Sequence, residues 1–140
     1  MTAGAGAGAL ADDDYRTLAH FRHALRAFLA FSEQAARDAG LTPSQHQLLL
    51  AVRGYPGDEP PSTTEVATML ALRLHSATEL VARAEANGLV VREADPGDGR
   101  RALLSLTPEG DARLEALSVL HRHELREFRT ELAAILHQLD

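Results

Sequence analysis

The chain has no cysteine and no lysine, and no apolar run that approaches membrane-spanning length. Without cysteine there is no disulfide, no thiolate metal site and no thiol redox switch. Without lysine, all 14 fixed positive charges are arginine guanidiniums. A membrane helix needs about 20 consecutive apolar residues, which this chain does not supply. No basic start leads into an apolar segment, so no secretory signal is expected; the expectation is a soluble cytoplasmic protein with no membrane partner. Excess positive charge is missing too: the net charge is −6, which argues against indiscriminate nucleic-acid binding. No nucleophile–base–orienter set, phosphate loop or metal motif stands out, so neither an enzyme nor a cofactor is expected. At 140 residues the chain is one domain, or one protomer of a small oligomer.

The stretch from Pro61 to Gly110 is the most informative part of the sequence. Ser62 with Glu65 three residues on reads as a capping box, and Val66, Ala67, Met69 and Leu70 follow at helical spacing. The chain should turn over Ala71 to Arg73. A second helix is expected from Leu74 to Asn87, with Ala77, Leu80, Val81 and Ala84 inside and His75, Ser76, Glu79 and Arg83 outside. Thr78 lies at the border, and Gly88 suits the left-handed residue that ends a helix. Leu89–Arg92 and Ala102–Leu106 read as short strands around a turn-rich tip over Glu93–Arg101. Helix, turn, helix and hairpin in this order make a winged helix: mainly α with a small β-wing.

The stretch resembles the DNA-binding domain of the MarR (multiple antibiotic resistance regulator) family. The resemblance rests on Glu65-Val66-Ala67 leading to Leu70, on Asn87-Gly88-Leu89-Val90, on Asp98-Gly99-Arg100, and on Leu106-Thr107-Pro108-Glu109-Gly110. It implies a sequence-specific transcription regulator, a dimeric repressor on a pseudo-palindromic operator in double-stranded DNA. A helix fits the major groove, and the second helix of such a motif presents its N-terminal residues to base edges. That points to Arg73, His75, Ser76, Thr78 and Glu79, with Arg83 nearer a phosphate; the plain alternative for Glu79 is a solvated surface acid. Ser62, Thr63 and Thr64 offer hydroxyls and backbone N–H groups to a phosphate, or simply cap their helix. Arg100 is placed at the wing tip for insertion in the minor groove. Asp98 would hold its guanidinium or the turn, and Arg101 would touch the DNA backbone or form a salt bridge. Two positions depart from the family pattern: Ala71 stands where glycine is common, and Arg73 where serine usually caps the recognition helix.

The flanks follow. Residues 1–11, alternating glycine and alanine, read as a disordered tail. A first helix is expected from Asp14 to Ala39, with a stripe of Leu18, Phe21, Leu25, Phe28, Ser32 and Ala35 broadened by Leu29 and Phe31, and with Gly40 ending it. Thr42-Pro43-Ser44-Gln45 caps the next helix, which should stop near Tyr55. After the wing, Thr107-Pro108 starts a C-terminal helix with a stripe of Leu114, Leu117, His121, Leu125, Phe128, Leu132, Ile135 and Leu139. It is either unbroken or interrupted at Arg129-Thr130. The resulting expectation is dimerisation helices over 12–40 and 108–140 around a DNA-binding lobe over 41–107. The family resemblance implies a small aromatic or phenolic effector, bordered here by His20, His23, Phe28 and His46; the plain alternative is that these are core or interface residues. A different class of function, a winged-helix protein–protein interaction module without DNA binding, draws its support from the acidic balance.

Overall fold

A computed structural model describes residues 8–139. Residues 1–7, which hold most of the expected tail, lie outside the described residues. Among the described residues five helices and one hairpin follow in the order α1 (Asp12–Asp38), α2 (Pro43–Arg53), α3 (Thr63–Met69), α4 (Leu74–Ala86), β1 (Val90–Asp95), β2 (Asp98–Leu106) and α5 (Pro108–His137). The architecture is the mainly helical winged helix expected, and α5 runs without the interruption considered at Arg129-Thr130.

The helix starts are set by local chemistry. The Thr42 hydroxyl accepts from the Gln45 N–H at 3.0 Å, and the Gln45 side chain accepts from the Thr42 N–H at 3.1 Å, which closes a full capping box. Ser62 caps α3 by accepting from the Glu65 N–H at 3.3 Å. Thr107 caps α5 by accepting from the Gly110 N–H at 3.0 Å.

The helix ends use one device three times. After α1, Leu41 N–H donates to Ala36 C=O at 2.9 Å across Gly40; after α4, Leu89 N–H donates to Ala84 C=O at 2.9 Å across Gly88. Both are Schellman caps, with glycine in the left-handed region at φ 81° and 74°. The end of α3 repeats the pattern, Leu72 N–H to Ala67 C=O at 2.9 Å, but the left-handed residue is Ala71 at φ 54°. A Cβ in that conformation is strained.

The chain divides into two compact units. One is residues 33–120; the other joins the described residues up to 32 with those from 121 on. The division falls inside α1 and α5 rather than at 40/41 and 107/108. The reason is burial: Ala35, Ala36, Leu114 and Leu117 belong to the same core as Leu48, Leu49, Val66, Val81, Leu89, Val90 and Leu104. In the helical-ends unit the buried α1 side chains are small, Thr17, Ala24 and Ser32. Leu18, expected inside, is exposed, and Phe21, Leu25, Phe28 and Phe31 are half-buried. Ile135 is buried on α5, whereas Leu125 and Leu139 are exposed.

The hairpin pairs Val90 with Leu106 and Ala94 with Ala102 in antiparallel register, then slips so that Asp95 faces Asp98. The strands therefore run further than expected, and the turn shrinks to Pro96-Gly97. Gly99, Arg100 and Arg101 fall in the slipped segment of β2, a bulge that re-aims side chains. Pro61-Ser62 adds a short third edge: Ser62 bridges Leu103, and Leu104 N–H donates to Pro61 C=O at 2.8 Å.

Two substitutions test this reading. Left-handed backbone costs a side chain roughly 1–2 kcal/mol, and glycine's greater unfolded-state freedom offsets about half of that. Ala71→Gly is thus expected to stabilise the protein by about 0.5–1 kcal/mol in urea denaturation. A Cβ at Gly110 would meet the Leu89 carbonyl oxygen at 2.2 Å. Gly110→Ala is expected to cost about 1–3 kcal/mol, the usual range for overpacking, measured the same way.

Candidate nucleic-acid interface

Helix α4 has two faces of opposite character. Ala77, Leu80, Val81 and Ala84 are buried, while His75, Ser76, Thr78, Glu79 and Arg83 are all exposed. The split arises from a period of 3.6 residues, which puts the four apolar side chains on one stripe. At the N-terminus, Arg73 is the N-cap residue but makes no side-chain cap bond. The helix therefore begins with free backbone N–H groups and an exposed guanidinium. Leu74, the first helical residue, is also exposed.

Several of these side chains already have partners on the helix. His75 Nε2 lies 3.3 Å from Glu79 Oε1, and Arg83 Nη2 lies 4.0 Å from Glu79 Oε2. Glu79 is thus bracketed one turn on either side. The Thr78 hydroxyl donates to the Leu74 carbonyl at 2.9 Å, which leaves its lone pairs facing outward. At the start of α3, Ser62 is buried at 6 % exposure with its hydroxyl taken up by the cap. Of the three hydroxyl residues there, Thr64 is exposed and Thr63 half-buried.

On the wing, the Asp98 carboxylate accepts from the Arg100 backbone N–H at 3.0 Å. Of the two roles open to Asp98, it holds the turn. Asp95 does the same for Gly97 at 2.9 Å. Among the described residues no carboxylate lies within ion-pair distance of the Arg100 or Arg73 guanidinium, whereas Arg53, Arg83, Arg92, Arg101 and Arg113 each reach one. Arg101 takes the salt-bridge alternative, pairing with Glu65 and lying 3.9 Å from Asp95.

Beyond its cap and its place in the Glu65-Val66-Ala67 signature, Glu65 pairs with Arg101 and feels Tyr55, which reads from sequence only as a helix end. Donation from the Tyr55 hydroxyl holds the Glu65 carboxyl below its usual range, with Ser62 and the Arg101 charge acting in the same sense and burial opposing. Accepting from Tyr55 in turn makes Glu65 raise the phenol, aided by burial and by its own charge. Nothing local in the sequence pairs residues 55, 65 and 101.

The four residues considered for an effector do not share one unit. His20 is exposed, with Nε2 3.3 Å from Glu131 Oε1, and His23 is exposed on the same helix. Phe28 packs at 5.2 Å from Phe128 and 6.3 Å from His121, which also accompanies Phe31 at 5.6 Å. His121 Nε2 is 2.7 Å from Ser32 Oγ. His46 belongs to the other unit, buried on the inner side of α2, so here it is a core residue. Its burial follows from its place beside Gln45, Leu48 and Leu49, which face the same core. His121, read from sequence only as a member of the α5 stripe, is the histidine that joins Phe28.

Ser62 separates capping from phosphate contact experimentally. Ser62→Ala is expected to cost about 1 kcal/mol of folding stability, the usual value for losing a cap, in urea denaturation.

Comparison with known proteins agrees with this geometry. The sequence profile of the MarR family matches residues 39–101. An uncharacterized HTH-type transcriptional regulator, YkoM of Bacillus subtilis (strain 168), is 31% identical over 111 residues, spanning 76% of this chain and 69% of that protein. The crystal structure of the MarR family transcription regulator SP03579 superposes with a TM-score of 0.74 at 23% identity, covering 91% of this chain and 85% of that one. Bordetella bronchiseptica BpsR, whose structure concerns regulation of DNA binding by 6-hydroxynicotinic acid, gives a TM-score of 0.63 at 26% identity, covering 84% of this chain and 91% of that one. A winged helix with these signature residues, matched by profile, by a regulator at this identity and by fold, places the chain in the MarR family of transcription regulators.

Proposed function

We propose that the protein is a dimeric repressor that binds a pseudo-palindromic DNA operator and is released by a small aromatic ligand. The observation that carries the DNA reading is the pattern of arginine pairing. In an acidic chain four of the six arginines over 41–107, Arg53, Arg83, Arg92 and Arg101, lie within ion-pair distance of a carboxylate, yet Arg73 at the mouth of α4 and Arg100 on the wing bulge have none in range among the described residues. In this reading the two unpaired guanidiniums and the exposed polar face of α4 together meet the DNA anion on a molecule of net charge −6.

In this reading α4 enters the major groove. Arg73, His75, Ser76 and Thr78 face base edges, and Glu79 accepts from a cytosine amino group once His75 or Arg83 turns to the DNA. Arg83, further along, turns to a phosphate. Thr63 and Thr64 meet a phosphate at the start of α3, and Ser62 fixes that start as its cap. Arg100 inserts in the minor groove, with Asp98 shaping the turn beneath it. The dimer reading draws on Tyr15, Leu18, Leu29, Leu125, Leu136 and Leu139, large apolar side chains left exposed on the helical-ends unit. In a two-fold dimer the two α4 helices would stand about 34–36 Å apart, one turn of DNA. For the effector, His20, His23 and Phe28 remain the candidates, with His121 added by its contact with Phe28; the support is the small aromatic acid that regulates BpsR.

The test is fluorescence anisotropy with DNA from upstream of the protein's own gene, at two salt concentrations, against scrambled DNA. Wild type is expected to bind selectively, with affinity that falls steeply as salt rises. Arg100→Ala is expected to lose roughly ten-fold in affinity. Absence of selective binding at low salt without effector would overturn the proposal in favour of a protein–protein interaction module.

A further inference from the structure

We propose that Glu65, Arg101 and Asp95 form a positioning device that sets the angle of the wing and so aims Arg100. The three residues come from three places: the first turn of α3, the end of β1 and the bulge of β2. Arg101 Nη2 bonds Glu65 Oε1, and Arg101 Nε faces Asp95 Oδ2 at 3.9 Å. The only named side chain of the set that is nearly enclosed is Asp95, at 11 % exposure, and its other oxygen already holds the Gly97 N–H.

The device matters because of where Arg101 sits. The hairpin has two strands, and its link to the rest of the lobe through Pro61-Ser62 is made at Leu103 and Leu104. Beyond that point Gly99–Arg101 lie in the register slip, outside regular ladder pairing. A two-stranded ribbon with few other contacts is free to swing. The Arg101 tether runs from this bulge to the first turn of α3, and Asp98 fixes the backbone of Arg100 on its other side. The backbone of Arg100 and its neighbour Arg101 are thereby held while the Arg100 guanidinium stays unpaired. Arg101, the residue beside the DNA-directed arginine, acts on DNA through the wing and not by contact. Glu65, read from sequence as a cap partner, is the anchor.

The consequence for DNA rests on the regulator reading above; the tether itself does not. Two measurements keep them apart. The first is hydrogen exchange of the wing amides, residues 94–103, in the free full-length protein. Glu65→Gln and Arg101→Met are each expected to speed exchange there, and unchanged exchange in both would overturn the tether. The second is operator affinity by anisotropy. Each single variant is expected to weaken binding by roughly three- to ten-fold, the double variant no more than the worse single one, because the two residues act as a unit. The salt dependence should stay that of wild type. If Arg101 touched a phosphate instead, Arg101→Met would lower the salt slope by about one while Glu65→Gln left affinity unchanged or improved, and the proposal would fall. If wild type shows no selective binding at all, the regulator reading fails, and the exchange experiment alone decides the tether.

Discussion

The lobe is organised around a small hydrogen-bonded junction where Gly88-Leu89 meets Thr107–Gly110. The Thr107 N–H donates to the Leu89 carbonyl at 3.0 Å, its hydroxyl donates to the Gly88 carbonyl, and that hydroxyl also accepts from the Gly110 N–H. Gly110 has no room for a Cβ because the Leu89 carbonyl is pressed against it. One threonine thus joins the end of α4, both roots of the hairpin and the start of α5. The register of a hairpin decides which side chains face the core, and a slip of one residue would reverse them all. Pinning Leu89 against Thr107 puts Val90 and Leu104 in the core, and the wing bulge follows at a set distance along the ribbon. The Leu-Thr-Pro-Glu-Gly signature is therefore a statement about geometry: a cap, a helix-compatible proline and a close approach.

Charge is managed by pairing. An acidic protein can present a positive surface if its acids are spent on most of its arginines and withheld from a few. Glu85 holds Arg92, Glu65 holds Arg101, and Asp111 holds Arg53, each across the fold, while Glu79 lies between His75 and Arg83 on α4 itself. Exposed pairs of this kind add little stability, typically 0–1 kcal/mol each by order of magnitude. Their larger effect is to decide which guanidiniums remain available. The turn before α4 follows a related logic of local cost. Ala71 accepts left-handed strain at the joint of the helix-turn-helix, where Gly40 and Gly88 relieve it at the other two Schellman ends. The C-terminal neighbour at those two ends, Leu41 or Leu89, is buried, but at Ala71 it is Leu72, which is 38% exposed.

Much of the fold is readable from residues close together in the chain. Thr42, Ser62 and Thr107 start helices within three residues of their bonding partners, and Gly40 and Gly88 end them within five. The inner face of α4 follows from its apolar period alone, and the wing from Pro, Gly and Asp between two apolar runs. These signals are reliable because each is complete inside one turn of helix or one hairpin, so nothing distant can alter it. Tertiary structure decided the rest. Which residues of α1 are buried was decided by what packs against it: Thr17, Ala24 and Ser32 are buried, whereas Leu18 is exposed. His46 became a core residue and His121 an aromatic neighbour because of where their helices pack. The bulge at Arg100, the third edge at Pro61-Ser62, and the pairing of Glu65 with Arg101 join residues up to about forty positions apart, and a choice of partner at that range exists only once the elements have met.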